Sequence, residues 1–236
     1  GGNALTSNTT AQFNCAVGFE ALRDNTTGAD NTAIGGYQAL IVNTTGSSNT
    51  AVGKAALAAN TTGSSNVAVG AQALDANTVG TNNTAVGVNA LSSDTLGSKS
   101  VAVGTAALFT QNFTTATDAV NTAVGFEAGK GITTGERNTF LGGYAGQNAT
   151  TPDDSVIIGY EAGGDATLTG HDNVYVGRRA GAATTSGGRN LFLGRDAGDS
   201  AVTATGNICV GHQVDCGHDA ANSITIGIEI SGADND

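Results

Sequence analysis

A pentapeptide of the type Asn-Thr-Ala-Val-Gly recurs along the entire chain, and its period limits what the chain can fold into. The closing glycines are Gly18, Gly35, Gly53, Gly70, Gly87, Gly104, Gly125, Gly142, Gly159, Gly177, Gly194, Gly211 and Gly227. Successive spacings are 17, 18, 17, 17, 17, 21, 17, 17, 18, 17, 17 and 16 residues. A unit this short cannot bury an apolar face alone, so units must stack on one another. Gly1 stands 17 residues before Gly18, so the array is expected to open partway through a repeat. With Gly rather than Met at position 1, the chain is expected to be a processed product or a piece of something longer.

Composition decides what kind of unit is stacked. The 236 residues include 36 Gly, 1 Pro and no Met or Trp, with 39% apolar and 12% charged residues. Gly, Asn and Thr at this density argue against helices. Collagen is excluded because Gly has no three-residue period, and the low charge does not fit disorder. The apolar residues are mostly Ala and Val, enough for a thin core only. The expected fold is all-β: a parallel β-solenoid or β-roll of about thirteen 17-residue coils, assembled as a homotrimeric fibre. The 21-residue spacing marks residues 109–120 as an inserted surface loop between two stretches, 1–108 and 121–236.

Each coil reads as a strand, a turn, a short strand and a turn. The residue before the anchor glycine is always aliphatic, and the residue two earlier is mostly Thr, Val, Ile or Leu. Alternate side chains of a strand share a face, and these two positions are assigned to the inside. The Thr-Thr-Gly at 26–28, 44–46, 61–63 and 133–135 is turn chemistry. Asn recurs four residues before the anchor, at Asn14, Asn31, Asn49, Asn66, Asn83, Asn121, Asn138, Asn173, Asn190 and Asn207. Stacked one strand spacing apart, these amides would bond to one another as a ladder.

A second apolar pattern points to a partner. Two residues before the anchor stand seven Ala, then Phe140, Ile157, Tyr175, Phe192 and Cys209. Four residues after it, or five in the Gly35 repeat, stand Leu5, Leu22, Leu40, Leu57, Leu74, Leu91 and Leu108, then Gly129, Gly146, Gly163, Gly181 and Gly198. Paired with the outward residue of the next repeat, every Leu meets Ala and every Gly meets Phe, Ile, Tyr or Cys, so the two positions are expected to touch between successive coils, as close packing demands. With the other face assigned to the core, these residues form an external stripe, which is unstable unless covered. The expected cover is further copies of the chain, three around an axis.

Repeats such as Asn49-Thr-Ala-Val-Gly53-Lys-Ala-Ala-Leu57 and Asn138-Thr-Phe-Leu-Gly-Gly-Tyr-Ala-Gly146 resemble those of phage and bacterial tail-fibre-domain proteins. They are also similar, more distantly, to the head repeats of YadA-like trimeric autotransporter adhesins, whose usual repeat is shorter. The resemblance implies an extracellular trimeric fibre on a virion or bacterial cell surface, attaching it to a glycan or protein receptor.

Other chemistry carries less. Nine basic against 20 acidic residues give a charge of −11 and no basic stripe for nucleic acid. No apolar run is long enough for membrane insertion. Cys209, His212, Cys216 and His218 lack zinc-finger spacing, and a terminal cap or an extracellular Cys209–Cys216 disulfide is the alternative. Asp153, Asp154, Asp165 and Asp172 read as solvated turns rather than a calcium roll, and Gly129-Lys130-Gly131 lacks phosphate-loop spacing. Sequons at Asn8, Asn25, Asn43, Asn60, Asn82, Asn112 and Asn148 offer glycosylation. No catalytic residues or cofactors are expected. The functional expectation is a structural shaft mediating attachment; the alternative is a self-polymerising filament with head-to-tail stacking.

Overall fold

A computed structural model describes residues 1–217 and 221–228. The chain is an all-β parallel β-solenoid, with no helix among the described residues. It divides into two compact units, Gly1–Val120 and Asn121–Asp236.

The first unit stacks β1 (Cys15–Phe19), β2 (Thr32–Tyr37), β3 (Thr50–Val52), β4 (Val67–Val69), β5 (Thr84–Val86) and β7 (Val101–Val103) in parallel register. A short side pair joins β6 (Gly97–Ser98) to β8 (Thr117–Asp118). The second unit stacks β9 (Thr122–Val124), β10 (Thr139–Leu141), β11 (Val156–Ile158), β12 (Val174–Val176), β13 (Leu191–Leu193), β14 (Ile208–Val210) and β15 (Ile224–Ile226). Within each unit the same repeat position meets itself from coil to coil: Ala51 faces Ala68, and Tyr175 faces Phe192.

The anchor glycines close the corners. Gly87 has φ +140°, and a Cβ there would run into the carbonyl oxygen of Gly104 in the next coil. Only glycine meets both demands. Leu22, Leu40, Leu57, Leu74, Leu91 and Leu108 also occupy left-handed backbone, at φ between 51° and 53°. Such a conformation costs an L-residue roughly 1 kcal/mol, and burial of the Leu side chain offsets it.

The assignment of faces is reversed. Leu22, Leu40, Leu57, Leu74, Leu91, Leu108, Phe140, Ile157, Tyr175 and Phe192 are all 0% exposed within a single chain, so they are not an intersubunit stripe. They are the core. The residues before the anchors, assigned to the inside, face out: Val17 is 54% exposed, Leu141 45% and Leu193 43%. The reason is width. One coil has room for Ala plus Leu, or for an aromatic ring plus Gly, but not for two β-branched columns. The volume complementarity, expected between successive coils, lies instead within one coil: Gly146 lies against Phe140, Gly181 against Tyr175 and Gly198 against Phe192.

Residues 109–120 are not a free surface loop. Gln111, Phe113 and Ala119 are buried, and β8 pairs back onto β6, so the segment packs as part of the first unit.

Two buried amide columns complete the interior. In the expected one, the amide oxygen accepts from the backbone N–H of the next coil: Asn31 Oδ1 accepts from Asn49 N at 3.0 Å, and Asn49 Oδ1 from Asn66 N at 3.0 Å. The Nδ2 donates to a turn carbonyl, as from Asn66 to Gly80 at 2.8 Å. The column is therefore chiefly amide to backbone, with side-chain links at Asn49–Asn31, Asn138–Asn121 and Asn190–Asn173. The second column is a true amide ladder through Asn25, Asn43, Asn60 and Asn77, with Nδ2 to Oδ1 distances of 2.8, 2.8 and 2.9 Å. Three of its members are the Asn of candidate sequons. With their side chains buried and bonded, Asn25, Asn43 and Asn60 cannot accept glycans in this fold. Asn82, Asn112 and Asn148 are exposed.

Candidate functional site

With the leucines and aromatic rings inside, the outer face of the stacked strands becomes the surface to explain. Every three-residue strand core turns its middle residue inward and its first and third outward. In the first unit the outward pairs run from Thr32/Ile34 and Thr50/Val52 to Val101/Val103. In the second they become more aliphatic, reaching Leu191/Leu193 and Ile208/Val210. Neither unit has a charged residue in these two columns, although the chain carries 29 charged side chains in all (9 basic plus 20 acidic). Most of these outward side chains are half-buried by their neighbours along the column, and the rest are exposed.

An aromatic edge borders each face. Phe19 stacks with Tyr37 at 5.9 Å, and Phe126, Tyr144 and Tyr160 meet edge to face at 5.3 and 5.7 Å. Phe126 and Tyr160 remain nearly half exposed. The Tyr160 phenol is shifted up from its ordinary range by its hydrogen bond to Glu161 and that carboxylate's charge. Tyr175 has a different environment: burial pushes its phenol far up, and its ring stacks on Phe192 at 5.1 Å. It is a core residue.

The acidic candidates are dispersed along the turns. Asp154 bonds Arg137 at 2.7 Å and is held below the usual carboxylate range by it. Asp165 bonds Arg179 at 2.9 Å, and Lys130 pairs with Glu127 at 3.0 Å. Gly129 is an interior residue rather than part of a phosphate cradle. A small open hollow of about 250 Å³ is lined by Asp196, Asp199, Ser200, Gln213 and Asp215. Burial shifts Asp199 up, and Ser200 Oγ donates to Asp215. Among the described residues no three His, Cys, Asp or Glu side chains converge as metal ligands.

Cys209 and Cys216 are joined as a disulfide, so neither sulfur is a thiolate. His218 lies outside the described residues. Cys209 takes the interior place that Phe or Tyr holds in earlier coils, and the bond ties β14 to the following turn. Reduction should lower the unfolding free energy of the second unit by about 2 kcal/mol, the scale expected for so short a loop. Alkylation of the native, unreduced chain should add one label, at exposed Cys15. Three labels without reductant would show the pair open.

No helix among the described residues is long and apolar enough to cross a membrane. Comparison with family profiles, with curated proteins and with solved structures gives no match.

Proposed function

We propose that the chain is a shaft segment of an extracellular attachment fibre, and that its copies associate through the outward strand face. One observation carries this reading: in each unit two adjacent columns of aliphatic and Thr side chains run coil after coil without a charge. A soluble protein rarely leaves a continuous apolar strip uncovered. A repeating face is most simply matched by the same face of an identical chain under closed symmetry. The lack of charge also removes the repulsion that a net charge of −11 would otherwise bring to self-contact.

The rest of the molecule suits a load-bearing role. Within each unit backbone bonds link each coil to the next, and amide columns add hydrogen bonds inside it. The disulfide favours an oxidising, extracellular setting. Three chains per fibre, and attachment of a virion or bacterial cell to a glycan or protein receptor, follow the resemblance to tail-fibre and adhesin-head repeats.

Sedimentation of the purified chain tests the reading. The wild type should run as a discrete oligomer with the mass of three chains. The double variant Leu141→Lys, Leu193→Lys should run as a monomer with an unchanged β-sheet circular dichroism spectrum. A wild type that stays monomeric at micromolar concentration would overturn self-association. Endless fibres in electron micrographs would replace the closed trimer with the polymerising filament.

A further inference from the structure

The amide ladder of the first unit stops at an acid. Asp94 holds the position taken by Asn25, Asn43, Asn60 and Asn77 in earlier coils, and it is completely buried. Each Asn Nδ2 in this column donates twice: to the amide oxygen of the preceding coil and to its own turn carbonyl, as Asn60 does to Gly63 at 3.0 Å and Asn77 to Gly80 at 3.2 Å. At Asp94 the pattern changes. Oδ1 accepts from Gly97 N at 2.9 Å, and Oδ2 accepts from Gln111 Nε2 at 2.6 Å. A carboxylate has no proton to give, and Asn77 Oδ1 is left buried with no hydrogen-bond donor.

Rotating the Asn77 amide does not repair this. Gly80 O would keep its bond from Asn66 Nδ2, but Asn60 Oδ1 would lose its donor, moving the unmet acceptor one coil down. One proton on Asp94 does repair it, because a carboxylic acid donates one hydrogen bond and still accepts others. We infer that Asp94 is a buried proton-binding site: protonated, it donates to Asn77 Oδ1 and continues the ladder; ionised, it sets a carboxylate against an amide oxygen.

The surroundings agree. The groups facing Asp94 are neutral: Asn77 below, Gly97 and the backbone of Leu96 within the coil, and Gln111 and Phe113 above. Ser100 joins them through Gln111, at 3.2 Å. No charged side chain acts on its carboxyl; Asp75 accepts from Ser92, and Lys99 pairs with Asp118 at the surface. Burial raises the Asp94 carboxyl above its ordinary range, outweighing the hydrogen bonds from Gln111, Gly97, Leu96 and Phe113, which favour the ionised form. A raised acid contributes stability that is complete below its unfolded value, about 4, and is lost as pH climbs through its folded value. The coil under residues 109–120 is therefore tightened by acid and loosened by base. This holds whether or not the chain forms fibres.

Two measurements test the site. Thermal melts of wild type and Asp94→Asn are compared from pH 4 to pH 8. The difference should be smallest at pH 4 and grow with pH, with Asp94→Asn melting about 4 °C or more above wild type at pH 8. Subtracting the two curves cancels the other carboxylates, which both proteins share. The carboxyl ¹³C resonance of Asp94 should also titrate above the range of the exposed aspartates. Parallel melting curves, or a carboxyl that titrates with the surface acids, would overturn the proposal.

Discussion

Gly87→Val should abolish the folded state of the first unit. The substitution places a β-branched residue at φ +140°, where L-residues are rarely found, and drives its Cβ into the carbonyl oxygen of Gly104. The neighbour is backbone, held by Gly104 N donating to Val86 O at 2.7 Å, so it cannot yield like a flexible side chain. We expect a loss of about 4 kcal/mol or more, the range reserved for backbone incompatibility and severe overpacking. That approaches the whole stability of an ordinary domain. Gly36→Ala is the control: nothing lies within 4 Å of its added methyl, and its φ is not in the left-handed region. Its effect should stay within about 0.5 kcal/mol. Circular dichroism melts of the two variants decide the point, and a Gly87→Val protein melting close to wild type would refute the corner role of the anchors.

The corner glycines could be read directly from the sequence because one residue type repeats where one backbone conformation repeats. Strand positions followed for the same reason, and so did the complementarity of large and small residues. What the sequence did not reveal was which apolar face is inside. Both faces of a strand such as Val156–Ile158 are apolar, so alternation alone cannot choose between them. The larger, β-branched columns looked like core, yet the coil is narrow enough that Ala33 or Ala51 must take the inward place. A usable signal was present in the complementarity itself. Volume compensation between two positions is a property of an enclosed space, and a surface stripe would have had less need of it.

The second amide column was hidden differently. Asn25, Asn43 and Asn60 sit beside Thr-Thr-Gly, which looks like solvated turn chemistry. Their burial comes from the turn folding its Asn back over the core, a tertiary result with no local signature. The clue lay in the continuation of the column, where Ile132 and Ala149 take equivalent interior places in the second unit. A position that alternates between Asn and aliphatic residues across repeats is interior, because a surface position has no reason to become apolar.

Phe192→Ala should be the most costly side-chain truncation in the second unit, and its repair tests the packing rule. Phe192 is wholly buried and stacked on Tyr175, so its loss should cost about 3–5 kcal/mol. Gly198→Leu alone should also destabilise, since even a Cβ at that site would enter the Phe192 ring. The double variant recreates the Ala-plus-Leu interior of the first unit, where Leu57 occupies the same left-handed backbone at φ 53°, close to the 65° of Gly198. Leu at 198 would therefore fill the space that the ring vacates. The double variant should be more stable than the sum of its single effects by about 1–3 kcal/mol, the size of coupling seen between residues sharing one cavity. Because Tyr175 still loses its stacked partner, the recovery should remain incomplete. Strict additivity in urea melts would mean that residues 192 and 198 do not share a space, and that a coil's interior is not one enclosed volume divided between two side chains.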